Sequence, residues 1–238
     1  MRIVFIVACF LCQQSFAQQV VDVSKENSGV NTNTFYTVSG EPFVTTKFVN
    51  LVEGTPYFKD DWMGAILVDG KNNQYKSKSV RLDLLDNKIH FLDDGGREMI
   101  ASLDAKQIIF TDTSGNNFKF LYSSALPGDL KSVKHGWYLW LVTGKASLYK
   151  YFTKTLSEMR PYNSATYEQY IKTKASYLVL YNNALMEIKK LKDAPAVLAN
   201  KKAELENFLK TKDKETDSMD DRFAALIQFY NSLVKDDK

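Results

Sequence analysis

Beyond position 12 this chain of 238 residues has no cysteine, because Cys9 and Cys12 both fall within its first seventeen residues. Once that start is removed, disulfides, cysteine nucleophiles and thiolate metal sites are excluded together. Histidine is almost as scarce: His90 and His135 stand alone, too few to hold a structural zinc ion without thiols. Charge of either sign is not in excess. The formal balance is +3, and removing the leader that contains Arg2 leaves 30 basic against 28 acidic residues, about +2. No long-range field follows, so neither nucleic acid nor an anionic lipid surface is expected as a partner. No G-x-S-x-G, H-E-x-x-H, P-loop or G-x-G-x-x-G pattern occurs, and no repeat of 20–50 residues is visible.

What is present starts with a leader. Arg2 precedes an apolar run over 3–11 and a small-x-small site at Ser15-Phe16-Ala17, which reads as a signal peptide over 1–17 cut before Gln18. A run of that length is far short of the roughly 20 residues that span a bilayer. A lipoprotein cut before Cys9 would leave almost no apolar segment ahead of it. The mature chain is therefore expected in the periplasm or outside the cell, without a transmembrane segment. Residues 18–34 are polar and aperiodic, with Ser24, Asn27, Ser28, Gly29, Asn31 and Thr32, and read as a flexible tether.

With 45% hydrophobic and 25% charged residues, the remainder can bury a core of its own. Over 35–190 the side chains alternate, the signature of strands. Residues 35–52 suggest two edge strands, broken by Gly40 and Pro42. Strands over 62–68 and 75–85 flank the loop Asp69-Gly70-Lys71-Asn72-Asn73. If Asp86-Asn87 is a two-residue turn, Leu84 faces Ile89, Leu82 faces Phe91 and Asp83 faces His90, giving an apolar face and a face turned to water. Strands at 107–111 and 118–122 bracket Ser114-Gly115-Asn116-Asn117. The segment 137–142 is apolar on both sides and so central or covered on its second face by a helix, and it leads through Gly144-Lys145 into 146–153. A short helical or irregular piece is expected around Tyr167, Tyr170 and Ile171. A last hairpin over 177–188 turns at Asn182-Asn183, with Tyr177, Val179 and Tyr181 on the face of Ala184, Met186 and Ile188.

Past residue 190 the period changes from 2 to 3.6. Asp193 and Pro195 can open a helix carrying Leu198, Lys202, Leu205 and Leu209. Asp217 or Ser218 can cap a last helix whose stripe is Met219, Phe223, Leu226, Ile227, Tyr230, Leu233 and Val234. The expected architecture is α+β: an antiparallel meander of about seven to nine strands, curled or barrel-like, with two C-terminal helices over 191–238 packed on the sheet. An outer-membrane barrel fits poorly, since Ser79-Val80-Arg81-Leu82-Asp83-Leu84 would put arginine and aspartate on one wall and the helical tail supplies no closing strand.

Candidate chemistry is thin. Asp83 opposite His90 is the pairing that orients a general base, but no nucleophile stands in register, and an exposed ion pair of small worth is the simpler reading. Calcium at Asp93-Asp94, or at Asp69 with Asn72 and Asn73, lacks EF-hand spacing, and turn chemistry explains both clusters. Asp60-Asp61 and Asp93-Asp94 are adjacent, so on a strand they point to opposite faces and cannot flank one glycosidic bond. The one oddity is aromatic density over 137–181, where Tyr138, Trp140, Tyr149, Tyr151, Phe152, Tyr162, Tyr167, Tyr170 and Tyr177 occur with Lys145, Lys150 and Lys154. Core filling is favoured over a stacking platform for sugars or polyanions. No catalytic residue, metal site or cofactor is expected.

The run Gly54-Thr55-Pro56-Tyr57, then Trp62, Gly64, Asp69-Gly70, Val80-Arg81-Leu82, Asn87 and Phe91, resembles uncharacterised exported proteins of Bacteroidetes-type Gram-negative bacteria. The stretch from Tyr177 through Lys201-Lys202 to Phe229-Tyr230-Asn231 is similar to their C-terminal part. The resemblance implies an envelope or secreted location and transfers no catalytic residues. These readings favour a non-enzymatic binding or interaction module of the bacterial envelope, with an envelope protein or a glycan as partner. The alternatives are a carbohydrate-active or other hydrolytic enzyme using Asp and Glu alone, or a structural accessory of an envelope complex.

Overall fold

A computed structural model describes residues 35–43, 48–129, 133–212 and 218–234. The expected signal peptide and tether lie outside these residues, as do Val44 and Asp217. The strands are β1 (Phe35–Tyr36), β2 (Gly40–Pro42), β3 (Leu51–Glu53), β4 (Met63–Asp69), β5 (Gln74–Asp83), β6 (Lys88–Leu92), β7 (Glu98–Ala101), β8 (Ala105–Thr111), β9 (Asn117–Tyr122), β10 (Trp137–Val142), β11 (Ser147–Met159), β12 (Glu168–Tyr181) and β13 (Ala184–Ile188). Three helices follow: α1 (Ala194–Val197), α2 (Lys202–Lys212) and α3 (Met219–Leu233). The α+β class stands, while among the described residues the thirteen strands exceed the seven to nine expected and the α-helices number three rather than two.

The sheet runs β13-β12-β11-β10-β9-β8-β4-β5-β6-β7-β2. It is mixed rather than purely antiparallel, because β1 joins β5 and β3 joins β12 in parallel. Three hairpins, β4–β5, β6–β7 and β8–β9, close with one and the same five-residue loop. In each, an aspartate (Asp69, Asp93, Asp112) accepts the backbone N–H groups two and four residues on. The fourth residue takes positive φ, at Asn72, Gly96 and Gly115, a conformation open to asparagine and glycine.

The connection from β7 to β8 dictates curvature. Only residues 102–104 join strands four places apart in the sheet, which in a flat sheet is about 19 Å. Four residue steps reach roughly 14 Å at most, so the sheet must curl until β6 and β7 face β9 and β10. The inside of the curl is filled by Leu67, Val80, Leu82, Ile108, Phe110 and Phe120, all fully buried.

Two details of register depart from the alternation pattern. The β5–β6 turn spans residues 84–87, pairing Leu82 with Ile89 and Arg81 with His90, not Asp83 with His90. Asp83 Oδ1 accepts the Leu85 and Asp86 N–H groups at 2.7 and 2.9 Å, and Asn87 sits at φ 57°, so a four-residue turn is stabilised where a two-residue one was expected. A slip of two keeps each side chain on its face. In addition, Tyr170 and Ile171 are not in a short helical or irregular piece but inside β12, which begins nine residues before the expected hairpin.

The helices cover β10–β13 at the sheet's other end. Phe223, Leu226, Ile227 and Tyr230 of α3, with Leu198 and Leu205, pack on Val142, Leu148, Tyr177 and Val179. Ser218 caps α3 by accepting the Asp221 N–H. Asn231 then fixes its far end to the β10–β11 turn, accepting the Ala146 N–H at 2.8 Å and donating to the Ala146 carbonyl at 2.9 Å. Gly144 at φ +154° leaves room for that amide, since a Cβ there would lie 2.4 Å from Asn231 Nδ2. The helix expected over 193–209 breaks at Leu198 (φ −102°, ψ 53°), and Asp193 does not cap α1; its carboxylate accepts the Lys190 N–H instead.

Candidate functional site

The residue pair singled out for chemistry is interior. The His90 side chain is 1% exposed and that of Asp83 5%, so their face is not turned to water. His90 Nδ1 lies 2.8 Å from Glu98 Oε1, which also accepts from Tyr57 Oη at 3.2 Å and Arg81 Nη2 at 3.1 Å. A carboxylate only accepts, so the network places a proton on Nδ1. Nε2 has no hydrogen-bond partner, with Asp83 Oδ2 3.9 Å away. The Arg81 guanidinium lies between the rings of Tyr57 (4.1 Å) and Trp62 (3.9 Å), and Phe43 stacks edge-on against His90 at 4.5 Å. Burial pushes the Asp83 carboxyl and the Tyr57 phenol above their ordinary ranges. A general base must reach a substrate proton, whereas this ring is walled in. The arrangement ties β5, β6 and β7 together through one carboxylate.

The other sequence candidates separate. His135 is exposed, with Nε2 2.6 Å from Tyr122 Oη. Asp60 accepts from Thr55 Oγ1, and Asp61 is exposed. Asp69 and Asp93 engage their own turns. Asp112, in the third copy of that loop, is held down at about 2, first by the Asn116 amide. Among the described residues no three His, Cys, Asp or Glu side chains converge as a metal site would require. Of the aromatic run, Tyr138, Tyr149 and Tyr177 are core residues, whereas Tyr162 and Tyr167 are exposed at 96% and 56%.

That contrast leads to the most distinctive surface. β11 and β12 pair over thirteen successive positions, from Ser147 with Leu180 to Met159 with Glu168, a ladder roughly 40 Å long. Its first part is buried under the helices. Farther out, Thr155, Ser157, Glu158 and then Lys172, Thr173, Lys174 and Ala175 are exposed, so the hairpin leaves the body as an arm, with Gln169 and Ile171 buried again near its end. β3 lies alongside its far end, held where Gln169 donates its N–H to the Asn50 carbonyl (2.9 Å) and Asn50 Nδ2 donates to the Tyr167 carbonyl (3.0 Å). Gly54 crosses so close that a Cβ would lie 2.1 Å from the Ile171 carbonyl oxygen.

Seven large hydrophobic side chains among the described residues are exposed, and five of them gather here: Val49, Val52, Met159, Tyr162 and Tyr167. Single exposed apolar residues need no explanation, but a concentration does. The sequence places the two tyrosines in an aromatic run for which core filling is favoured over a stacking platform, places Val49 in the alternation of an expected edge strand, and gives Val52 and Met159 no surface role. The available signal was negative: Lys172-Thr173-Lys174 interrupts the alternation because that stretch is wet on both faces. No described helix is long and apolar enough to cross a membrane. No protein-family model, curated protein or solved structure matches the chain.

Proposed function

We propose that the protein is a non-enzymatic, exported interaction module of the bacterial envelope that seats the far end of its β-arm on a partner protein. The observation that carries this reading is the gathering of Val49, Val52, Met159, Tyr162 and Tyr167 at the arm's end. Tyrosine supplies contact area at small conformational cost and suits protein or sugar alike. The aliphatic Val49, Val52 and Met159 favour protein, because sugar faces stack on rings. Export rests on the leader over 1–17. The carboxylate-only enzyme gains no support from the clefts: the three described are each lined by a single acid, Glu187 in two and Asp104 in the third, and hydrolysis of a glycosidic bond needs a pair.

A photo-cross-linking amino acid placed at position 162 of the full-length chain, expressed in its own cells, tests the proposal. One discrete adduct is expected, weakened when Val49 and Val52 are replaced by serine. Labelling no different from that of a probe at the exposed position 78, on β5, would overturn it.

A further inference from the structure

The arm also presents an open sheet edge. Along one side of β12, β13 pairs with Tyr177 to Tyr181 and β3 with Gln169 and Tyr170. No described strand pairs with the residues between. Backbone groups on a strand point alternately to its two neighbours. Gln169 sends its N–H outward to Asn50, and Tyr181 pairs with Ala184 across the two-residue turn, so the odd-numbered residues face this side. Ile171 is closed off by Gly54. Thr173 and Ala175 are left with N–H and C=O groups directed outward over residues 172–176, about 16 Å of edge.

Beside that edge opens a cleft of 470 Å³ between the end of β13 and the start of α3, lined by Ala175, Tyr177, Ile188, Met219 and Phe223 among others. Met219 is 44% exposed there. Lys172, Lys174, Lys189 and Lys190 are all exposed around the cleft, against Glu187 in its lining and, at the start of α3, Asp221 and Asp220, the latter paired with Lys150 at 2.8 Å. We infer that residues 172–176 of β12 accept an extended segment of a partner protein as an added strand, one that carries acidic side chains toward the lysines and a large apolar side chain into the Met219–Phe223 cleft. Main-chain hydrogen bonds supply the docking and the cleft and lysines the selectivity. A second copy of this chain fits badly, because antiparallel pairing of two such edges sets Lys172 and Lys174 against their own counterparts. This site is separate from the apolar end of the arm and does not depend on it.

The test uses the mature chain and a fluorescein-labelled peptide of about six residues, alternating glutamate with valine or phenylalanine. Saturable binding is expected, with amide exchange at Thr173 and Ala175 slowed at least about tenfold. Lys172→Glu with Lys174→Glu should weaken binding about tenfold, while Tyr162→Ser should leave it unchanged. Ala175→Pro removes the outward N–H without touching the ladder to β11 and should abolish binding. The inference is overturned if the peptide fails to bind up to millimolar concentration, if it binds without protecting those two amides, or if a lysine-for-glutamate version binds equally well. Because the exchange measurement uses the unaltered protein, a misfolded proline variant would not obscure the result.

Discussion

The two halves of the β11–β12 ladder share one backbone pattern and differ in everything around it. Near the body, Leu148 and Tyr149 of β11 and Val179 of β12 are fully buried, with α3 on one side and Tyr138 on the other. Toward the tip the same ladder carries Thr155, Ser157, Lys172 and Lys174, open to solvent. Hydrogen bonding alone therefore does not distinguish structure from function here. The near half is held by burial, whereas in the far half only Gln169 and Ile171 are buried, beside β3, and the exposed side chains are free for something else.

The contrast should be largest where α3 meets the near half. Phe223 stacks on Tyr177 at 4.1 Å and is 1% exposed, so Phe223→Ala is expected to cost about 3–5 kcal/mol, measured by urea unfolding. Asn231→Ala leaves the Ala146 N–H and C=O without partners inside the interface and should cost about 2–3 kcal/mol. His90→Ala probes a second part of the body. The lost ring packing and Glu98 contact should cost about 2 kcal/mol, against less than about 0.5 for the exposed His135→Ala; equal small effects would return His90 to the surface. At the arm's end, Tyr162→Ser and Val49→Ser should each change stability by less than about 0.5 kcal/mol while reducing partner capture.

Alkali separates the regions by another route. Burial pushes the Tyr149 and Tyr230 phenols up to about 12 from 10.0. A raised folded-state value means that the contribution to stability is intact below pH 10 and is lost as the pH rises through about 12. Ionisation of these tyrosines, followed by near-ultraviolet absorbance, should coincide with loss of the fold. Ionisation of both well below that pH with the fold intact would show that their burial is misassigned.

The body was the legible part of the sequence. Asn182 and Asn183 both take positive φ, as a two-residue hairpin turn requires, and the expected pairing of Tyr177, Val179 and Tyr181 with Ile188, Met186 and Ala184 is the observed one. The stripe on α3 likewise meets the sheet. Periodicity reports which face is buried, and it was silent in three places for physical reasons. A register slip of two leaves faces unchanged, so the longer β5–β6 turn held by Asp83 was invisible. Alternation of polar and apolar residues also could not show that Phe43 and Tyr57 cover His90. The run 172–175, wet on both faces, interrupts the alternation within β12, so its outer end, where Gln169 and Ile171 are buried again, was cut off from the expected hairpin and, with the candidate surface, read as irregular.

Native-state amide exchange along β11 and β12 tests the division most directly. Amides of Leu148, Tyr149, Leu178 and Val179 should open only with global unfolding, whereas those of Thr155, Ser157, Lys172 and Lys174 should exchange through local opening, at least about a hundredfold faster. Uniform protection along the whole ladder would contradict the separation of a rigid body from an exposed working arm.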